Sequence, residues 1–304
     1  MAFNAKQQAA VLALFGVIAT ETYGLEREAL RATEFVPQQT GLSPWLATFG
    51  YQRVTEVGVA KFIADYADDL PPVAKFMTLE SIGIKPVGCS YAYSETELMQ
   101  YLEHGIDVSR DKASLARYTI DTKVDKVILE GDKEQNVEGL VNNSNVTVFT
   151  SPIGAGGSSE LKNKTYDEIC ETFRLWYNAG KRLNKGTIKF DTVLLPNEVY
   201  SYLALTNVSD KIDKSILDSL KEKFGKMGIV NWDSTDSLET AGAGGIGRGI
   251  MYRKNPTILS YVLPIPFRQK DPQAQSLHYK VPCYARVGGT VIKNLKGIIY
   301  CDGL

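Results

Sequence analysis

Apolar positions fall into three different rhythms along the chain. Over residues 51–93 they come as two extended runs. Val54, Val57, Val59, Phe62 and Ile63 form the first, and Phe76, Met77, Leu79, Ile82, Ile84 and Val87 form the second. Asp65, Asp68, Asp69 and Pro71-Pro72 stand between them. Two such runs around an acidic, proline-containing break predict a large β-hairpin. A lone hairpin is marginally stable in water, so this one is expected to lie on something else, a neighbouring subunit being one candidate.

A helical rhythm follows. Ser94 and Glu97 have the spacing of a capping box, for a helix ending near Gly105. Over 109–130, Ala113, Ala116, Ile120, Val124, Val127 and Ile128 share one face. Arg117/Asp121 and Lys126/Glu130 are spaced for i,i+4 ion pairs, while Asp121/Asp125 is a like-charge pair working against them. At 1.5 Å per residue this helix spans roughly 33 Å, the size of a structural spine or of an ordinary core helix. It runs into residues 131–146, GDKEQNVEGLVNNSNV, where Leu140 and Val141 are bracketed by Gly139 and Asn142. Glycine allows positive φ and asparagine tolerates it. The bracket therefore predicts a sharp connection with unusual φ values between Gly139 and Asn142.

The third rhythm alternates strand and helix over 151–263. Thr165 and Glu168 form another capping box, before a helix with Ile169, Phe173, Trp176, Gly180 and Leu183 on one face. A buried strand is expected over 192–195, with Pro196 opening the next helix, through about Leu205. A further helix is expected over 213–227, strands over 229–232 and 250–253, and strand patterns again from Thr257 onward. Residues 1–50 hold a short apolar segment, a charged helical patch, then Pro37, Gly41 and Pro44. They lack the apolar content for a core of their own and read as an arm.

Composition narrows the function. A chain of 304 residues suggests about two domains. Lys plus Arg total 34 and Asp plus Glu 35, a net charge of −1, without the basic excess of a dedicated nucleic-acid binder. The cysteines Cys89, Cys170, Cys283 and Cys301 form no CxxC pair and read as free thiols of a reducing compartment. The apolar run 9–19 is too short for a membrane span and has a poor cleavage site. It is expected to pack on protein, in a soluble chain not secreted by a standard route.

Candidate chemistry is sparse. Gly242, Gly244 and Gly247 match GxGxxG, but 236–241 is no strand pattern and 248–253 looks like a strand where a dinucleotide site needs a helix. A surface loop is the simpler reading. His104 sits at an expected helix end, where it complements the dipole, and His278 sits in a strand pattern beside Tyr279. Neither has a nucleophile-elbow signature beside it. Asp65, Asp68 and Asp69 lack the glycine turn and terminal glutamate of a calcium loop.

The order of segments resembles a tailed-phage major capsid protein of the Hong Kong 97-type fold. The resemblance rests on the extended loop, the spine helix, and Gly139-Leu140-Val141-Asn142 as the family's GLxN turn. It rests further on FDTVLLPNEVYSYLA at 190–204 and VPCYARVGGTVIKNLKG at 281–297, with Ala285, Arg286, Gly288 and Gly289 in an aRxGG-like ending. It implies an α+β fold with an N-terminal arm (1–50), an extended β-hairpin loop (51–93) and a peripheral domain with the spine helix (94–150). An α/β apical domain (151–263) and returning peripheral strands (264–304) complete it. It also implies a coat protein that self-assembles, in the host bacterial cytoplasm, into hexamers and pentamers of an icosahedral virion head around double-stranded DNA. Its partners would be neighbouring subunits through arm and loop, a portal, separate scaffolding or decoration proteins, and DNA in loose non-specific contact, with no membrane. No catalytic, cofactor-binding or metal residue and no cofactor is expected, and the chain is expected not to be an enzyme. Encapsulins share the fold, so a cargo compartment is an alternative. A nucleotide-dependent enzyme using the 242–247 loop is a second.

Overall fold

The computed structural model describes residues 27–57, 73–94, 96–97, 108–209 and 212–304. The chain divides into two units, residues 1–30 and 31–304. Of the first, residues 27–30 are described and have no regular secondary structure. Every described helix and strand lies in the second.

Helix α1 (Ala32–Phe35) opens the second unit, with Ala32, Phe35 and Val36 buried in its main core. These three side chains pack in the same core as the long helix that follows. The Ala32 amide donates to Asp125 Oδ1 at 2.8 Å. Asp125, half of a repulsive pair by its spacing, is placed to receive this helix start.

Strands β1 (Thr48–Val57) and β2 (Ala74–Gly83) pair antiparallel along their full length, Thr48 opposite Gly83 and Tyr51 opposite Glu80. The connection 58–72, with Asp65, Asp68 and Asp69, lies outside the described residues. Extended backbone continues into β3 (Lys85–Ser94), but β3 pairs with a C-terminal strand instead of β1. The run 51–93 therefore serves two sheets. Periodicity reports which face a strand buries and not which partner it takes. Ser94 and Glu97 close their capping box, with Ser94 N to Glu97 Oε2 and Glu97 N to Ser94 Oγ both at 3.1 Å. His104 lies outside the described residues.

Helix α2 (Val108–Leu129) is the long helix that the periodicity predicts. Ala116, Ile120, Val124, Val127 and Ile128 are buried and Ala113 is half-buried. Arg117–Asp121 and Lys126–Glu130 approach to 3.5 and 3.6 Å. Next come β4 (Gly131–Asp132), β5 (Val137–Glu138) and β6 (Val148–Thr150). Helix α3 (Tyr166–Leu183) starts at the Thr165–Glu168 capping box, with Thr165 N to Glu168 Oε2 at 2.8 Å. Strand β7 (Thr192–Leu195) and helix α4 (Asn197–Leu205) lie where the sequence places them. Strands β8 (Asn207–Ser209) and β9 (Ile212–Ser215) pair before α5 (Ile216–Gly225). That helix begins three residues later than expected because Ser215 caps it, its Oγ accepting from the Asp218 amide at 3.0 Å.

Strands β10 (Asn231–Ser234), β11 (Arg248–Tyr252), β12 (Leu259–Tyr261), β13 (Ile265–Gln269), β14 (Gln273–Gln275), β15 (His278–Val287), β16 (Thr290–Ile292) and β17 (Ile298–Asp302) complete the unit. A five-stranded sheet runs β10-β7-β11-β17-β6. Successive residues on its strands point to opposite faces. Leu194, Ile250, Tyr252, Ile298 and Tyr300 therefore join the core shared with α2. Val193, Leu195, Met251, Ile299 and Cys301 join a second core with Phe173, Trp176, Phe224 and Trp232 from around the helices. Covered on both faces, β7 and β17 are buried at every position. Residues 264–304 contribute strands to more than one sheet. Strands β13, β14 and β15 form a sheet with β3, while β17 lies between β11 and β6.

Candidate assembly surfaces

The connection after α2 is built to end that helix. The last carbonyls of an α-helix have no partners within it. Here Leu140 N donates to Ile128 O at 3.0 Å, Val141 N to Leu129 O at 2.9 Å and Asn142 Nδ2 to Glu130 O at 3.1 Å. The expected unusual φ values between Gly139 and Asn142 are not there. Left-handed backbone occurs instead at Gly131 (φ 75) and Asn136 (φ 54), where the chain leaves the helix and turns from β4 to β5. Gly139 is needed for closeness. A Cβ on it would stand 2.3 Å from Leu129 O and 2.4 Å from Gly131 N, so two backbones touch where a side chain cannot fit.

The same connection is bolted to the five-stranded sheet. Leu140 and Val141 are fully buried. Tyr300 Oη on β17 donates to Leu140 O, and Arg248 Nη1 on β11 donates to Val141 O at 2.8 Å. Arg248 also reaches both carboxylate oxygens of Asp302, and its guanidinium lies 4.6 Å from the Tyr300 ring centroid. The hydrogen bond to Asp302 raises the Arg248 pKa, and burial raises that of Tyr300. Sequence reasoning misses this group. Its one signal is a single charge at the end of each of two otherwise uncharged strands, RGIMY and IIYCD.

The β1–β2 hairpin has two unlike faces. On one, Tyr51 Oη donates to Glu80 Oε2 and Arg53 Nη1 donates to Glu80 Oε1, both at 2.6 Å. Burial, then this bond to Glu80, pushes the Tyr51 phenol up to about 12. On the other face Met77 is 61% and Leu79 73% exposed. At its root Phe49, Tyr51 and Ile82 pack on Ile84, Val262 and Val291. Among the described residues neither strand has a second strand partner, so both edges offer free backbone groups.

The remaining sequence candidates do not converge. The 242–247 loop joins a 3₁₀ turn (Asp236–Leu238) to β11, so no helix follows it. It is closed by Gly242 N to Ile246 O at 2.9 Å and by Ala243 N to Asp302 Oδ2 at 3.1 Å. His278 is exposed at the start of β15. Cys89 and Cys283 face each other across β3 and β15, Cys301 is buried, and Cys170 is half-buried on α3. Among the described residues no group of three or more His, Cys, Asp or Glu side chains could hold a metal ion. No described helix is long and apolar enough to cross a membrane.

The family of major capsid proteins matches residues 58–304. No curated protein matches. Among solved structures, the chain is similar to the capsid of Myoviridae phage XM1, at 16% identity over 94% of this chain and 95% of that one, with a TM-score of 0.78. It is similar to the capsid of a native GTA particle, at 10% identity over 93% of each chain, with a TM-score of 0.64. It is similar also to a virus-like particle from Pyrococcus furiosus, at 15% identity over 96% of each chain, with a TM-score of 0.52. At such identities the likeness shows the fold, which is the α+β, Hong Kong 97-type capsid fold. With most of its length matched by the family and its fold that of capsid shells, this chain belongs to the major capsid protein family, the structural subunits of phage heads.

Proposed function

We propose that this chain forms hexamers and pentamers of an icosahedral head enclosing double-stranded DNA, with its β1–β2 hairpin laid over a neighbouring subunit. The observation that carries this reading is the hairpin itself. A two-stranded ribbon leaves Met77 and Leu79 exposed on one face, without cover among the described residues. Covering each side chain contributes ~1.5–3 kcal/mol before the cost of association. A closed shell supplies that cover to every copy at once. An obligate contact of this kind buries more than ~2,000 Å². In this reading α2 and the β3–β15 sheet form the peripheral domain, and α3, α4, α5 and their sheet form the apical domain. The 242–247 loop lies toward the capsomer centre. The protein is non-enzymatic and assembles in the host cytoplasm. Portal, scaffolding and decoration functions come from separate proteins.

Deleting residues 65–75 tests the hairpin's role, alongside Met77→Ser/Leu79→Ser. Both variants should keep the thermal transition of the unassembled subunit and fail to form stable shells. Normal shells from both would overturn the assignment.

A further inference from the structure

The turn that ends α3 concentrates positive charge. Lys181 and Arg182 lie in its last turn, and Lys185 and Lys189 follow. Between Glu171 and Glu198 the one acidic residue is Asp191. Its carboxylate accepts from Thr192 Oγ1 and from the Lys254 amide, each at 2.8 Å. All four cations are exposed or half-exposed, and among the described residues none stands in an ion pair.

The turn is fixed from within. Buried Asn184 donates Nδ2 to Ile188 O at 2.8 Å and accepts from the Gly186 amide at 2.7 Å, while its carbonyl accepts from Thr187 Oγ1 at 2.6 Å. Lys185 (φ 50) and Gly186 (φ 76) are left-handed. The cations thus project from a set loop around a shallow depression lined by Asn178, Lys181, Arg182, Lys185 and Gly186. The 3₁₀ turn Leu295–Gly297, in contact with α3, adds exposed Lys296.

Cations in the last turn of a helix complement its dipole by ~0.3–1 kcal/mol. That accounts for Lys181 and Arg182. It does not account for Lys185 and Lys189, which lie beyond the helix, or for Lys296 on another segment. Cations outside any ion pair on a fixed, exposed turn suit phosphate, where neutralisation releases condensed counterions. We infer that this turn is the chain's contact with the phosphate backbone of the enclosed duplex, an inference that rests on the DNA-enclosing shell proposed above. Short loops of lysine and arginine position a duplex without reading its bases. A chain of net charge −1 has no overall basic excess, so its attraction for DNA concentrates in local patches such as this one.

The test titrates a short fluorescent DNA duplex with unassembled full-length subunits over a range of salt. Wild type is compared with Lys181→Gln/Arg182→Gln/Lys185→Gln/Lys189→Gln, and with Lys214→Gln as a control whose lysine pairs with Glu222. The quadruple variant should bind at least ~10-fold more weakly at low salt, with a salt slope shallower by about 0.9 for each phosphate that is no longer neutralised. The control should match wild type. An unchanged slope and affinity in the quadruple variant, with wild type binding DNA, overturns the turn and leaves the shell reading standing. So does a variant that binds DNA normally but no longer assembles, which would place the turn against an acidic face of a second copy. Wild-type shells that form yet never hold DNA would remove the enclosure reading itself.

Discussion

Arg248 and Asp302 stand opposite each other in the register of β11 and β17, joined by Nε to Oδ1 at 2.6 Å and Nη2 to Oδ2 at 2.8 Å. The third guanidinium nitrogen donates to Val141 O. One side chain therefore ties two strands of the sheet to the connection that ends α2.

Removing one member of this pair leaves a charge uncompensated, since the two side chains are 11% and 6% exposed. Arg248→Met or Asp302→Leu should each cost about 3–5 kcal/mol. The double variant should cost clearly less than their sum. Denaturant unfolding of the unassembled subunit reads all three, and strict additivity would show that the pair is not coupled.

Gly139→Ala should be among the most damaging single-methyl additions in the chain, because the new Cβ meets backbone at 2.3 Å that cannot move without uncapping α2. Gly244→Ala is the contrast. Its φ of 81 is strained, but nothing lies within 4 Å of the added atom, so its cost should stay near 1–2 kcal/mol. Similar unfolding midpoints for the two variants would contradict the close-approach account.

Lys164 is 6% exposed, and its Nζ is held by Ser151 Oγ at 2.7 Å and Thr172 Oγ1 at 3.2 Å. Burial lowers its pKa from 10.5. The unfolded chain then binds the proton more tightly than the folded one. Stability should rise with pH from the lowered value toward 10.5. The measurement belongs below pH 9, because the thiols of Cys89, Cys283 and Cys301, raised by burial, work the other way above their ordinary value of 9.0, as does the raised phenol of Tyr51 above 10.0. Lys164→Met should flatten the rise, and an identical pH profile in that variant would show that the lysine stays protonated.

The spine and the hairpin are legible in the sequence for a local reason. Ile120, Val124 and Val127 fix a helical face within one element, and the acidic, proline-containing break marks where an extended run turns back. Pairing between distant segments leaves no such trace. Nothing in the pattern through Val87 says that β3 leaves β2 for β15. Nothing near Asp302 announces Arg248, 54 residues earlier. The 131–146 stretch is legible as constrained, yet its left-handed residues are Gly131 and Asn136, because Gly139 is required by close approach and not by φ. The basic turn at 181–189 is hidden because a whole-chain charge of −1 averages it away.

Sedimentation of the purified protein, with negative-stain microscopy of the same sample, tests the central claim most directly. Closed shells, or ring-shaped capsomers, are the predicted result. A stable monomer that binds a nucleotide and never assembles would contradict it.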